Sequence, residues 1–261
     1  MTSEAVELAF SEVGAGPPLV ILPGLFGSKR NWASIARSLG EHHRVITADL
    51  RNHGESPWAA RHDYPSLAAD VAGLIESVVG GPAAVLGHSM GGKAAMMLAL
   101  TRPALVERLV VVDIAPVIST GTPIEYVQAM RALPVERFTR RSELADALAP
   151  AIPDRGVRNF LSLNAAATEV GLVWRVNLAA LEHDFDQILG FPPIEPGRSY
   201  PGPALFLTGG RSPYVRPEHW PEIERLFPAA EFETIPAAGH WVHADAPEAF
   251  VAAVSRFLAS A

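Results

Sequence analysis

The sequence contains no cysteine. That absence removes disulfides, a cysteine nucleophile and thiolate metal sites in one step. It also has no surplus of positive charge: 21 Lys and Arg stand against 28 Asp and Glu, for a formal net charge of −7. A nucleic-acid binder needs a basic footprint, so nucleic acid is excluded as a partner, and an acidic surface is not drawn to anionic lipid. Long apolar runs are missing. The longest are strand-sized, such as 109–112, far short of a membrane span. The stretch from Met1 to Glu7 lacks the basic and apolar regions of a secretory leader. The expectation is a cytoplasmic protein with no membrane partner; monomer and homodimer both stay open. There is no internal repeat and no low-complexity tract.

What is present is apolar: 49% of 261 residues are hydrophobic and only 19% are charged. That composition argues against disorder and supplies a sizeable core. Short apolar runs at 19–22, 45–48, 83–86, 109–112, 204–208 and 232–235 alternate with helical patterns at 31–39, 66–79, 90–100, 218–226 and 247–258. Several of the runs are apolar at every position, as in strands buried on both faces of a parallel sheet. The alternation predicts an α/β fold with a doubly wound, mostly parallel sheet. It breaks once. Between Pro116 and about Tyr200 no strand is evident, and four helical patches take its place at 125–133, 142–148, 156–166 and 172–184. In the third, Val157, Phe160, Leu161 and Asn164 form a stripe with one polar member. The expected organisation is a core of 1–115 and 199–261 with an inserted helical cap, 116–198, over the active site.

Gly87-His88-Ser89-Met90-Gly91 is a G-x-S-x-G pentapeptide set between an apolar run and a helical pattern. A serine on a sharp strand-to-helix turn has its hydroxyl exposed, and the helix N-terminus directs N–H groups at developing negative charge. A serine hydroxyl needs a base to become a nucleophile. In this strand–turn–helix setting the partners follow in the order serine, acid, histidine. His240, in the loop Gly239-His240-Trp241 after the last strand run, fits best; His243 is the rival. The remaining histidines, His42, His43, His62, His183 and His219, read as surface residues, and His88 as packing beside the turn. The histidines do not sit in a metal-ligand pattern with carboxylates, so no metal is expected.

The acid is less obvious. The loop after the run 204–208 reads Gly209-Gly210-Arg211-Ser212-Pro213-Tyr214-Val215 and offers no carboxylate before Glu218. One strand earlier, Val112 runs straight into Asp113. A carboxylate at the end of the strand beside the nucleophile can reach a histidine on the same edge, which makes Asp113 the candidate and Glu218 the alternative. Two backbone donors are needed for an oxyanion: Met90, after the serine, and Leu25, in Pro23-Gly24-Leu25-Phe26-Gly27-Ser28. That loop is no phosphate cradle, because its glycine spacing is wrong and Lys29 does not follow a glycine. Phe26, Tyr214 and Trp241 are candidate substrate contacts, with Met130, Phe138, Phe160 and Trp174 as further lining.

With these residues placed, the chain resembles the α/β-hydrolase superfamily over nearly its whole length. Asp49-Leu50-Arg51-Asn52-His53-Gly54-Glu55-Ser56 is similar to that superfamily's D-x-R-x-x-G-x-S loop, which is mainly structural. Within the superfamily, Pro23 to Ser28, Val112-Asp113-Ile114-Ala115-Pro116 and Gly210 to Val215 resemble the YbfF-type bacterial esterases. The resemblance implies hydrolysis of small to medium acyl esters, or thioesters, without a cofactor, and an acid carried on the earlier strand. One departure is Pro23, where many relatives have a histidine that orders the loop. A lyase, a C–C bond hydrolase or a perhydrolase would use the same three side chains, and a ligand-binding protein could keep the fold.

Overall fold

A computed structural model describes residues 5–119 and 124–259; 1–4 and 120–123, on which part of the leader and insertion readings fall, and 260–261 lie outside the described residues. The strands are β1 (Phe10–Val13), β2 (Pro18–Leu22), β3 (Arg44–Ala48), β4 (Ala83–His88), β5 (Val106–Val112), β6 (Ala165–Thr168), β7 (Gly171–Trp174), β8 (Ala204–Gly209) and β9 (Ala230–Ile235). Seven of them form one sheet in the order β1-β3-β2-β4-β5-β8-β9, parallel except for β1. The helices are α1 (Ala33–Leu39), α2 (Tyr64–Leu74), α3 (Met90–Thr101), α4 (Ile124–Ala132), α5 (Arg141–Ala147), α6 (Arg155–Ser162), α7 (Leu178–His183), α8 (Phe185–Leu189), α9 (Trp220–Leu226), α10 (Val242–Asp245) and α11 (Pro247–Ala259).

The continuous apolar runs are explained by two covered faces. Along β2, Leu19 and Ile21 point to one side and meet Ile35 and Leu39 of α1 and Phe250 and Val254 of α11. Val20 and Leu22 point to the other, with Leu67 and Val71 of α2 and Ala95 and Leu98 of α3. All four β2 side chains are fully buried, and each such burial contributes roughly 1.5–3 kcal/mol. β2 pairs with β3 on one side and β4 on the other, so the chain changes winding direction there. The crevice at such a switch point, above the carboxyl ends of the strands, is where this kind of sheet binds ligands.

Two features depart from the expectations. The sheet has an edge strand, β1, whose four residues are all exposed. Being solvated, Phe10-Ser11-Glu12-Val13 carries no burial pattern to read. The segment between β5 and β8 is not all helix, because β6 and β7 form an antiparallel hairpin. Three consecutive alanines favour helix locally. Pairing with β7 and burial of Ala165 and Leu172 beside Leu144 override that preference. Gly171, at φ 139°, packs where a Cβ would lie 2.1 Å from the Glu136 carbonyl oxygen, which holds the hairpin against the chain before α5. None of the helices of the described residues is long and apolar enough to cross a membrane.

Candidate active site

Ser89 leaves β4 and opens α3 with φ 53° and ψ −119°, a left-handed conformation that L-residues avoid at a cost of about 1–3 kcal/mol. The glycines around it are required by contact. A Cβ on Gly87 would sit 2.2 Å from the Gly91 carbonyl oxygen, and one on Gly91 would sit 2.3 Å from that of Leu22. Gly24, on the loop after β2, passes with its Cβ position 3.1 Å from the Ser89 Cβ. The glycines at 24, 87 and 91 thus let the turn and the β2 loop approach this closely.

β5 lies next to β4, and Asp113 follows its last residue, also with a positive φ of 52°. Two backbone bonds lock the strand ends together: Ser89 N–H donates to Val112 O and Asp113 N–H to Leu207 O, each at 3.0 Å. The Asp113 side chain is fully buried. Its Oδ1 accepts from the Gly209 N–H at 3.0 Å, and its Oδ2 accepts from the Ser212 hydroxyl and faces His240 Nδ1 at 2.7 Å. On the other side of the ring, His240 Nε2 is 3.1 Å from Ser89 Oγ. Tyr214 stacks on the imidazole with ring centroids 4.0 Å apart, and His88 Nε2 donates to the His240 carbonyl at 2.9 Å. Burial holds His88 well below the ordinary histidine range, so the ring is neutral and Nε2 carries its proton. The alternatives lie elsewhere. Glu218 pairs with Arg216 on the surface. His243 is buried, stacks on Trp32 at 4.0 Å, and is pushed down to about 4 by that burial.

Leu25 and Met90 line a narrow space beside Ser89, and Leu25 also borders the larger cavity that His240 lines. The neighbouring amides are committed: Gly27 N–H bonds Gly24 O at 2.9 Å, and Phe26 N–H bonds His53 Nε2 at 3.2 Å. His53 Nδ1 faces Arg51 O at 3.1 Å and supplies the proton there, which leaves Nε2 as the acceptor. Phe26 itself has φ 62°, and its carbonyl accepts from Asn164 Nδ2 at 2.9 Å. Loop order, which a histidine in place of Pro23 would supply, comes here from His53 and Asn164.

The Asp49 loop does the structural work expected of it. Asp49 Oδ1 accepts from Lys29 N–H at 2.6 Å, Oδ2 accepts from Glu55 N–H at 2.8 Å, and a Cβ on Gly54 would collide with that carboxylate. Arg51 and Asp70 form a fully buried pair behind it, with Nε to Oδ2 at 2.5 Å.

A cavity of about 230 Å³ opens beside Ser89 and His240. Phe26, Tyr214 and Trp241, the candidate substrate contacts, line it together with Phe160. Val157, Phe160 and Leu161, the apolar stripe of α6, form its roof, joined by Tyr126, which carried no separate signal. Met130 is instead fully buried among the core residues, and Phe138 and Trp174 pack on the β6–β7 hairpin cluster. His62 is no surface residue: it is fully buried, and its N–H donates to Asp184 Oδ2 at 2.6 Å, tying α8's leading turn to the core. Lys93 of α3 is likewise buried, its ammonium donating to Val117 O at 2.8 Å and to Leu189 O and Gly190 O at 2.7 Å. Burial lowers it to about 7. Sequence reading missed Ser212, His53, Asn164 and Lys93 as parts of the site. Asn164 alone left a trace, as the polar member of the α6 stripe. Among the described residues no group of three or more His, Asp or Glu is placed to hold a metal ion.

A parallel sheet with a strained serine at the carboxyl end of β4, facing a histidine and a buried aspartate, defines an α/β enzyme of the hydrolase type. The α/β hydrolase fold family model matches residues 17–247. The sn-1-specific diacylglycerol lipase ABHD11 of Mus musculus is 45% identical over 93% of this chain and 81% of its own length. Esterase YbfF of Escherichia coli K12 is 35% identical over 92% of each chain. A solved marine microorganism esterase superposes with a TM-score of 0.92 at 36% identity, over 97% of this chain and all of the other. The chain belongs to the α/β-hydrolase family and groups within it with carboxylic ester hydrolases.

Proposed function

We propose that this protein is a serine carboxylesterase in which Ser89, His240 and Asp113 act as nucleophile, general base and orienting acid. The observation that carries the reading is the continuous file Asp113 Oδ2, His240 Nδ1, His240 Nε2, Ser89 Oγ, with steps of 2.7 and 3.1 Å across the ring. Asp113 accepts from Nδ1–H, which fixes the tautomer with Nε2 free to take the serine proton and stabilises the imidazolium that follows. Ser89 Oγ attacks the ester carbonyl, and the N–H groups of Leu25 and Met90 hold the oxyanion. Removing one such donor costs roughly 3 kcal/mol of activation energy. The imidazolium then gives its proton to the leaving alcohol oxygen, leaving an acyl group on Ser89. Water, deprotonated by the same nitrogen, attacks that acyl group and returns the enzyme. The stretch between β5 and β8 acts as a cap, since α6 roofs the cavity above Ser89. Esters of the relatives' general kind are the substrate class, and thioesters suit the same steps because the leaving atom needs only the His240 proton.

The test is hydrolysis of p-nitrophenyl acetate by wild type and Ser89→Ala, with a fluorophosphonate probe as a second readout. Wild type turns over and is labelled. Ser89→Ala falls by roughly 10⁵-fold and is not labelled. Turnover that survives in Ser89→Ala rejects the nucleophile and the mechanism built on it.

A further inference from the structure

Two spaces meet at Ser89, and they differ in size and in what borders them. The cavity of about 230 Å³ is bordered by His240 and Trp241. The other, of about 20 Å³, starts at Leu25, Ser89 and Met90 and does not reach His240. It ends against Tyr64, Ile114, Ile188, Leu189 and Lys93; Leu25 and Tyr214, like Ser89, border both spaces, whereas Met90 borders only the narrow one and His240 only the wide one.

The chemistry assigns an occupant to each. In acyl transfer the carbonyl oxygen must point at the Leu25 and Met90 amides. The leaving oxygen must lie within reach of His240 Nε2, the group that protonates it. The alcohol therefore extends into the space His240 borders. The carbon chain of the acid takes the remaining direction, past the two amides.

We infer that the narrow slot is the acyl site and the wide cavity the alcohol site, so that this enzyme selects esters of very short acids with larger apolar alcohols. The inference rests on the serine-esterase reading above. A space of about 20 Å³ is somewhat larger than the roughly 10–15 Å³ that admits one water. It takes the methyl of an acetyl group and excludes a chain of several methylenes. The surfaces of Ile114, Ile188 and Met90 make it apolar, so a carboxylate-bearing acyl group is also excluded. Lys93 does not change this, because its ammonium is committed to the Val117, Leu189 and Gly190 carbonyls.

The slot is held shut by named bonds. Tyr64 donates its hydroxyl proton to Ile188 O at 2.5 Å. Lys93 ties Leu189 and Gly190, at the end of α8, to Val117, just past β5. Ser119 N–H donates to Leu189 O at 2.8 Å. Widening the slot breaks these buried bonds, so Lys93 and Tyr64 are positioning residues for the wall formed by Ile188 and Leu189.

The experiment uses a pair of isomeric esters, hexyl acetate and ethyl hexanoate. They have the same atoms and nearly the same hydrophobicity, with the ester group turned round. The expected kcat/KM for hexyl acetate exceeds that for ethyl hexanoate by about tenfold or more, since one misplaced methylene alone is worth that much. In Ile188→Ala the ratio falls by about fivefold or more, as the slot lengthens by the lost side chain. Leu189→Ala is the second variant, should Ile188→Ala fail to fold, and moves the ratio the same way. A wild-type ratio at or below one, with good turnover of both esters, overturns the assignment and places the acyl chain under α6 instead. A high ratio unchanged in both variants overturns the slot as its cause. Turnover of neither isomer nor of p-nitrophenyl acetate rejects the esterase reading first, and the slot with it.

Discussion

The two halves that meet over Ser89 are built differently. On the core side, backbone does the positioning. Ser89 and Asp113 sit at adjacent strand ends with positive φ, and the glycines at 24, 87 and 91 allow contacts of the chain with itself that no Cβ would tolerate. On the side contributed by the segment between β5 and β8, side chains do it. Asn164 reaches the Phe26 carbonyl, Asp184 reaches the His62 N–H, and α6 offers an apolar stripe. Backbone constraints leave compulsory residues at short spacings. Side-chain contacts across long separations leave one polar residue in a helix, or nothing. The division follows the chemistry: the proposed reacting groups stand on the constrained half, which also supplies most of the larger cavity's walls, and the other half adds the roof through Tyr126, Val157, Phe160 and Leu161.

Asp113→Asn breaks the core half at its centre. The amide keeps the shape, but it places an N–H2 where the Nδ1 proton of His240 must be accepted, and the ring turns to the wrong tautomer. Turnover should fall by roughly 10³–10⁴-fold, about 4–5 kcal/mol of activation energy, with KM little changed. Steady-state kinetics on p-nitrophenyl acetate checks it. Activity within tenfold of wild type would show that Asp113 only caps its turn, and that the constrained half does not carry the chemistry.

The same contrast explains what was legible. The sheet, its helices and the trio Ser89, Asp113 and His240 could be read because each rests on local signals: continuous apolar runs, a glycine-framed serine, a carboxylate directly after a strand. Elimination pointed to Asp113 as the partner of His240, since the loop after β8 offers no acid, and the two side chains do meet. The same loop nevertheless contacts Asp113, because the Ser212 hydroxyl and the Gly209 N–H both bind it. That contact spans 99 residues and has no sequence signature. β1 was silent because it is exposed. β6 was misread because three alanines prefer helix until a partner strand is present. Lys93 and His62 looked like ordinary polar residues, and only the fold reveals that backbone carbonyls and Asp184 satisfy them.

Acid should unfold the protein through its core half. His62, His88 and His243 are all buried on that side, and burial depresses all three, His243 to about 4. A depressed histidine is neutral when folded and takes a proton more readily when unfolded. Stability is therefore complete above the unfolded value near 6.5 and is lost as pH falls from there towards 4. His243 alone contributes a loss of roughly 3 kcal/mol by pH 4. Urea denaturation between pH 7.5 and 4.5 checks the slope. His243→Phe keeps the stack on Trp32 and should flatten it. A midpoint independent of pH over that range would mean that the three rings take up protons in the fold as readily as in the unfolded chain.

The finest test asks whether the inserted half contributes to the chemistry or only to cavity shape. Phe26 is held in a left-handed turn from both halves at once: His53 of the core accepts its N–H, and Asn164 of the insertion donates to its carbonyl. The residue before it is Leu25, whose amide is one of the two proposed oxyanion donors. Asn164→Ala removes the bond to the Phe26 carbonyl, worth roughly 1 kcal/mol, together with one to Leu161 O, and leaves the strained turn resting on His53 alone. If the turn relaxes, the Leu25 N–H drifts from the oxyanion position while the cavity walls stay. The expected result is a fall in kcat of about fivefold to tenfold with KM nearly constant, because the interaction weakened is one made in the transition state. A change in KM alone would assign Asn164 to cavity shape. No change in either would mean that the core half holds the oxyanion loop unaided.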